Sequence, residues 1–286
     1  MSHEQFSPTE LEPILKIASD CGLILVGGQA VGCWATLLEN PAEEPWKSRR
    51  PYTSRDADAL CTRNQMLQFA KTLAEHGWDV EVFEPDKNEE RIHTGAIRIE
   101  GMIGKQRQTL VMNLLKQLEG LSNQEIEETA TEIPIAQSSI RSIDVLRLLE
   151  SKTISLNSLD QTGRQDETHL ILCVAALKRI LQETGKGPEW PNALKSAQRI
   201  IQNANHQIGL DTLTRHQINL LDAIPWDAWR QAPIPGLQKL GHQERDNRNG
   251  MMETLHTAAE LEQWLKTLHS KTRQAPATPE SPGNPN

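Results

Sequence analysis

Two adjacent glycines in the first part of the chain are placed where their backbone could bind a phosphate group. Gly27 and Gly28 follow the apolar run Leu-Ile-Leu-Val at 23–26 and precede a helix-compatible segment at 29–39. Glycines in such a strand–turn–helix unit let the backbone approach a ligand closely, and the amides at a helix N-terminus attract anions. The Gly-Gly turn therefore predicts a seat for a phosphate group.

Two aspartates follow about thirty residues later, in the segment Thr-Ser-Arg-Asp-Ala-Asp-Ala-Leu-Cys at 53–61. If this segment is a strand, its period of two places Asp56 and Asp58 on one face, with Ala57 and Ala59 on the other. Two carboxylates side by side repel each other unless a cation lies between them. A divalent metal that prefers oxygen ligands, such as Mg²⁺, would hold them together. The segment therefore predicts a Mg²⁺ site with Asp56 and Asp58 as ligands.

The connection between these two motifs, residues 40–55, is rich in proline and basic side chains. Lys47, Arg49, Arg50 and Arg55 all precede the aspartates. One interpretation is an ordinary solvated loop. The other is that cations beside a phosphate seat and a carboxylate pair help to hold a triphosphate.

Composition and charge narrow the class of protein. The 286 residues carry 24% charged and 37% hydrophobic side chains, which is typical of a globular protein. The net charge of −8 argues against broad, nonspecific nucleic-acid binding, although it is compatible with a local basic groove. The four cysteines are far apart and form no Cys-x-x-Cys pair, which favours free thiols in a reducing cytoplasm. No secretion signal and no apolar stretch of roughly eighteen residues is present, so membrane association is not expected.

The pattern of elements predicts an α+β fold. Strand-like runs at 78–83, 92–99 and 109–115 alternate with helical segments in the first part of the chain, and nearly continuous helix follows from about residue 138. We therefore expect a small mixed-sheet domain over residues 1–137 and a helical domain over residues 138–272. The last segment, 273–286, contains four prolines and no core-forming residues, which predicts a disordered tail.

The order strand, Gly-Gly turn, helix, basic loop and Asp-x-Asp strand resembles the nucleotidyltransferase superfamily with the DNA polymerase β-like fold. The segments LVGGQAV and TSRDADAL are similar to those of its smaller bacterial branches, including the toxins of type IV toxin–antitoxin (abortive-infection) systems. The resemblance continues with a helix bearing Lys152 and with Gly-Arg-Gln-Asp-Glu at 163–167, and it spans roughly residues 20–180. Residues 1–137 would then form a nucleotidyltransferase-like domain.

This resemblance implies transfer of a nucleoside monophosphate from a nucleoside triphosphate to a hydroxyl group. The acceptor could be an RNA end, a protein or a small molecule, and a toxin of this kind would have an antitoxin partner. The glycine pair would cradle phosphates, and the aspartates would hold one or two Mg²⁺ ions that neutralise the triphosphate and the leaving pyrophosphate. Three cations would neutralise phosphate charge: Lys152, Arg55 and Arg164.

Two of these assignments have a simpler structural alternative. Lys152 could be an ordinary helix lysine whose ammonium reaches solvent. Arg164 and Asp166 could cap the next helix and form a structural ion pair, which is the role that we favour for Asp166.

The chain departs from the family pattern at one catalytic position. Active members carry a third carboxylate on a later strand, and here that strand, 109–115, places Asn113 there. An amide oxygen can bind Mg²⁺, but it brings no charge and cannot act as a general base. Glu100, at the end of the preceding strand-like run, could substitute if the sheet places it nearby. Two hypotheses follow: an active nucleotidyltransferase, or a degenerate homologue that binds a nucleotide or a protein partner without chemistry.

Overall fold

A mixed sheet of seven strands organises the structure, a computed structural model that describes residues 5–85 and 92–255. Its strand order is β3-β4-β5-β2-β1-β7-β6. The central strand β2 is antiparallel to β1 and parallel to β5, and β1 is parallel to β7. The strands are β1 (Ile24–Val26), β2 (Ala57–Leu60), β3 (Asp79–Phe83), β4 (His93–Ile103), β5 (Gln106–Leu115), β6 (Thr131–Ile135) and β7 (Ser138–Ser142).

Helices flank the sheet and dominate the later part of the chain, which confirms the predicted α+β class. The helix α2 contacts α5 and α6, and both of these helices contribute side chains to the candidate site described below. Within the described residues, no helix combines the length and apolar character needed to cross a bilayer. The helices are α1 (Glu12–Asp20), α2 (Gly27–Leu38), α3 (Arg63–Glu75), α4 (Asn123–Thr129), α5 (Val145–Ser158), α6 (Asp166–Thr184), α7 (Trp190–Asn205), α8 (Gln207–His216), α9 (Trp226–Arg230) and α10 (Pro235–His242).

Local interactions explain why α2 and α5 begin where they do. The strand β1 consists of three buried apolar residues, and the positive φ of Gly27 (67°) turns the chain directly from β1 into α2. The Trp34 indole nitrogen donates to the Ile143 carbonyl at 2.9 Å, which ties α2 to the segment after β7. Asp144 caps α5 by accepting from the backbone N–H groups of Leu146 and Arg147. These contacts fix two of the helices that border the site.

The sheet extends beyond the domain boundary predicted at residue 138. Strand β7 begins at that residue and pairs with β1, so the helical segment starts only at Val145. Of the described residues, 5–85 and 92–242 form one compact unit, which contains the predicted boundary. The described residues after 242 belong to a second unit, and residues 244–255 are helical. The predicted tail, 273–286, lies outside the described residues.

Candidate functional site

The register of the sheet places the predicted site residues next to one another. Asp58 lies between Val26 of β1 and Asn113 of β5 in adjacent strands. Because Gly27 follows Val26 directly, the Gly-Gly turn lies at the same end of these strands. The turn, the second aspartate and the asparagine therefore converge at one point of the sheet.

The two glycines lie where side chains would collide with functional groups. A Cβ on Gly27 would be 2.1 Å from Asp58 Oδ2, far inside any real contact distance. A Cβ on Gly28 would be 2.7 Å from Ser54 Oγ and 2.9 Å from His169 Cε1. Gly27 also has the left-handed backbone conformation that glycine adopts most readily. Glycine is therefore required here both for the turn and for the space in front of the aspartate.

Substitution of Gly27 by alanine is expected to displace the Asp58 carboxylate and to weaken binding of Mg²⁺–ATP by about tenfold or more. The left-handed φ adds a conformational penalty of about 1–2 kcal/mol. Gly77→Ala is the matched control, because Gly77 has a φ of 84° but no heavy atom within 4 Å of an added Cβ. Both variants should lose stability in a thermal melt through the left-handed φ, and Gly27→Ala should lose more because its Cβ collides with Asp58. Only Gly27→Ala should lose affinity in calorimetry. Equal affinity in the two variants would show that the turn does not shape the site.

The acidic pair lies at the start of β2 and is bridged by an amide. Asp56 is exposed and precedes the strand, whereas Asp58 is half-buried within it, so the strand is shorter than the predicted segment. Asn113 Nδ2 donates to Asp58 Oδ1 at 2.9 Å and, more weakly, to Asp56 Oδ2 at 3.5 Å. Ser54 Oγ donates to Asp56 Oδ1 at 3.3 Å. The two carboxylates therefore face a common point that also includes the Asn113 side chain.

Electrostatics at Asp58 favour a bound cation. Burial raises the pKa of Asp58, and the negative charge of Asp56 raises it further. The hydrogen bond from Asn113 and the positive charges of Lys152 and Arg164 lower the pKa but do not cancel these effects. An ionised Asp58 is thus destabilised in this environment, and a positive ion between the two carboxylates would relieve that destabilisation.

Two of the predicted cations meet at a buried carboxylate. Lys152 of α5 is buried, and its Nζ donates to Asp166 Oδ1 at 2.8 Å. Arg164 Nε donates to Asp166 Oδ2 at 2.5 Å. Burial acts to raise the pKa of Asp166, but the charge of Lys152 and the hydrogen bonds from Arg164 and Lys152 outweigh it and hold that pKa below its usual value. Lys152 is therefore not a solvent-directed lysine: it is held in place, with donors to spare for a ligand.

The basic connection contributes one of its cations to this region. Arg55 is exposed, and its guanidinium donates to the Gly163 carbonyl at 2.6 Å, which links the connection to the loop before α6. Arg50 instead forms an ion pair with Glu39 at the end of α2. The triphosphate-binding interpretation of this loop thus rests mainly on Arg55, since Arg49 lines only a smaller pocket next to Gly28 and His169.

A cavity of about 480 Å³ collects all of the predicted residues. That volume is within the range of sites for small molecules and cofactors, roughly 300–1,000 Å³. Ser54 and His169, which no sequence motif indicated, line the same cavity. The predicted residues that line it are Gly27, Gly28, Arg55, Asp56, Asp58, Asn113, Lys152 and Arg164.

The donor set fits one Mg²⁺ ion better than a complete two-metal centre. Asp56 and Asp58 offer carboxylate oxygens, and rotation of the Asn113 amide would present its oxygen in place of its nitrogen. Among residues 5–85 and 92–255, no group of three or more His, Cys, Asp and Glu side chains could hold a metal. Glu100 does not supply the third carboxylate, because it pairs with Thr109, four residues or ~13 Å along β5 from Asn113. It also forms an ion pair with Arg98.

The signal that could have found His169 is its spacing from Asp166. The two residues are three apart on α6, so they lie on the same face of that helix. Ser54 lies two residues before Asp56, but only its contact with the turn shows that it belongs to the site. The spacing places His169 on the same face of α6 as Asp166, but the contacts of both Ser54 and His169 with the Gly-Gly turn depend on long-range packing.

Comparison with known proteins gives little further information. No family model matches the chain, and no curated protein matches it either. Among solved structures, a crystal structure described as that of a "putative nucleotidyltransferase" from H. pylori aligns with 85% of this chain and 94% of its own. The aligned residues are 13% identical, and the TM-score is 0.35. So low a score carries no argument about this chain.

Proposed function

We propose that the protein binds a Mg²⁺–nucleoside triphosphate and transfers the nucleoside monophosphate to a hydroxyl group. The observation that supports this most strongly is the convergence of the Gly-Gly turn and the acidic pair on one cavity. A Cβ on Gly27 would touch Asp58, so a phosphate at the turn would lie beside the carboxylates. Phosphate binding and metal binding would thus occur in the same place.

Each part of the cavity has a chemical role in this proposal. The backbone at Gly27 and Gly28 would hold phosphate oxygens through close approach at the start of α2. Lys152 and Arg55 would neutralise phosphate charge, and Arg164 would do so together with its bond to Asp166. Asp56 and Asp58 would hold Mg²⁺, which when bound would stabilise the negative charge on the triphosphate and on the departing pyrophosphate.

A second candidate function, nucleotide or partner binding without transfer, is supported by Asn113. Its amide donates to both aspartates. The family resemblance implies a third carboxylate at this position. An amide cannot remove a proton from an attacking hydroxyl. A protein with this arrangement would keep affinity for Mg²⁺–nucleotide and lack the base that promotes attack.

The substitution Asn113→Asp separates the two candidates. If the chain is degenerate, the wild type should bind Mg²⁺–ATP, as seen in a raised melting temperature, but release no pyrophosphate. The variant should then gain pyrophosphate release, typically 10²–10⁴-fold for a restored general base. If the wild type is an active transferase, it should already release pyrophosphate with a suitable acceptor. Absence of both binding and release in the wild type would contradict the proposed function altogether.

The acceptor and the partner are part of the same proposal. An RNA end or a protein hydroxyl would suit the toxin-like role that the sequence resemblance implies, and an antitoxin would be the regulating partner. Incubation with labelled ATP and Mg²⁺, together with total RNA or total protein as separate acceptors, should label one of the two pools. Label in neither pool with an active Asn113→Asp variant would point to a small-molecule acceptor.

A further inference from the structure

The side chain of His169 is an unexplained feature of the cavity wall. It is buried, with 8% of its surface exposed, yet its Nδ1 atom is enclosed and has no hydrogen-bond partner among the described residues. Nε2 also lacks a partner among those residues, but it is not enclosed. Buried polar groups are normally hydrogen-bonded, so an orphaned imidazole has to be accounted for.

The location of the ring indicates what kind of group would satisfy it. The imidazole edge lies over the Gly-Gly turn, since a Cβ on Gly28 would be 2.9 Å from His169 Cε1. The side chain lines the same cavity as Lys152 and Arg164, and both of their positive charges act on it, opposed by the single negative charge of Asp166. A group that occupies the space between the turn and these cations should be anionic and rich in acceptor oxygens.

The protonation state supports a donating role for the neutral ring. Burial lowers the pKa of His169 to about 3, and the positive charge of Lys152 contributes to this shift. At neutral pH the ring therefore carries one N–H group and one bare nitrogen. A buried N–H without a partner is rarer in proteins than an unsatisfied acceptor, which favours the lone pair on the enclosed Nδ1 and the proton on Nε2. Nε2 is also the ring nitrogen that is not enclosed.

We propose that His169 is a further ligand-binding residue of this site, and that its imidazole donates a hydrogen bond to an oxygen of the polyphosphate chain seated at Gly27 and Gly28. This inference rests on the proposed function, because it requires a triphosphate in the cavity. A histidine is not required at this position to cap or pack α6, so ligand binding gives His169 a role that a purely structural residue would not have. It also accounts for a buried polar group that would otherwise only destabilise the fold.

The test compares two substitutions and two ligands. His169→Leu removes the donor with little change in volume, and His169→Gln keeps an N–H near the position of Nε2. His76→Leu, at an exposed histidine after α3, is the control. The ligands are Mg²⁺–ATP and Mg²⁺–tripolyphosphate, so that phosphate contacts are measured with and without the nucleoside. Calorimetry gives the affinities, and thermal melts without ligand give the stabilities.

We expect His169→Leu to lower the affinity for both ligands by a similar factor, about 10- to 100-fold, as is typical for loss of a hydrogen bond to a charged group. The melting temperature of the unliganded variant should stay the same or rise, because an unpaired buried nitrogen is removed. His169→Gln should recover part of the lost affinity, and His76→Leu should bind like the wild type.

Each contrary outcome has a distinct meaning. If the wild type binds neither ligand, the proposed function fails, and this inference fails with it. If the wild type binds both ligands and His169→Leu binds them equally well, the inference alone is overturned. A loss confined to ATP would place the contact on the nucleoside and overturn the phosphate assignment. Should His169→Leu fail to fold, ¹⁵N NMR of the wild-type imidazole decides: Mg²⁺–tripolyphosphate must shift the His169 ring signals, and unchanged signals would overturn the inference.

Discussion

Asp58→Ala is expected to abolish Mg²⁺-dependent nucleotide binding and any transfer that depends on it. Asp58 is the half-buried member of the acidic pair, and it contacts both Asn113 and the space in front of Gly27. Removing one partner of a largely desolvated charge interaction costs about 2–5 kcal/mol, which corresponds to at least ~30-fold in Kd. Calorimetry with ATP in Mg²⁺, repeated in EDTA, measures the loss.

The matched control for this prediction is Asp79→Ala. Asp79 is an exposed acidic residue on β3 of the same sheet, and it does not line the cavity. It should bind Mg²⁺–ATP like the wild type. An Asp58→Ala variant that keeps wild-type affinity for Mg²⁺–ATP would rule out the acidic pair as the metal site.

The same position should show a trade-off between stability and function. Burial and the charge of Asp56 raise the pKa of Asp58, so its ionised form disfavours the folded state. The protonated carboxyl favours the folded state, so its contribution to stability is fully present below the ordinary pKa of 3.8. That contribution is lost as the pH rises through the raised pKa of the folded state. Asp58→Asn should therefore raise the melting temperature of the unliganded protein at pH 7, by about 2 °C or more, and the gain should shrink toward pH 4.

Asp166→Ala is expected to cause the largest loss of stability, about 3–5 kcal/mol in the free energy of unfolding. Asp166 has 2% of its surface exposed and bonds to both Lys152 and Arg164. Lys152 is itself buried, so removal of the carboxylate leaves an uncompensated charge in the interior. Denaturant unfolding at pH 7 measures the change.

The double variant Lys152→Met/Asp166→Asn isolates the cause of that loss. It removes both buried charges with little change in side-chain volume, so it should recover most of the stability while nucleotide affinity stays below that of the wild type. The lowered pKa of Asp166 gives a further check. The ionised carboxylate contributes to the free energy of unfolding above pH 3.8, and this contribution is lost as the pH falls through the lower pKa of the folded state. The difference between wild type and Asp166→Ala should therefore narrow in acid. An Asp166→Ala variant as stable as the double variant would show that the uncompensated charge of Lys152 is not the cause of the loss.

Local sequence patterns predicted the parts of the site that arise within single elements. The Gly-Gly pair after an apolar run and the Asp-x-Asp period are local signals, and the structure brings both to one cavity. The position of Asn113 opposite Asp58 follows from the parallel pairing of β2 and β5. The direction of that pairing is a property of the whole sheet and cannot be read from either strand alone. The expectation that Asn113 lies beside the aspartates came from the family resemblance.

The features that the sequence did not reveal depend on long-range packing. Strand β7 reads Ser-Ser-Ile-Arg-Ser, with a single apolar residue, and it is a strand because β1 and β6 supply its hydrogen bonds. The boundary expected at residue 138 therefore falls inside the sheet. His169 reaches the turn because α6 contacts α2. Arg50 forms an ion pair with Glu39. Fewer cations of the basic connection are therefore available to a ligand than the sequence suggested.

The most direct test of the account is a crystal structure with Mn²⁺ and a non-hydrolysable ATP analogue, since Mn²⁺ replaces Mg²⁺ at oxygen sites and is visible by anomalous scattering. We expect an anomalous peak between Asp56 and Asp58, with the phosphates against Gly27 and Gly28. A nucleotide bound elsewhere, or a metal peak away from both aspartates, would contradict it.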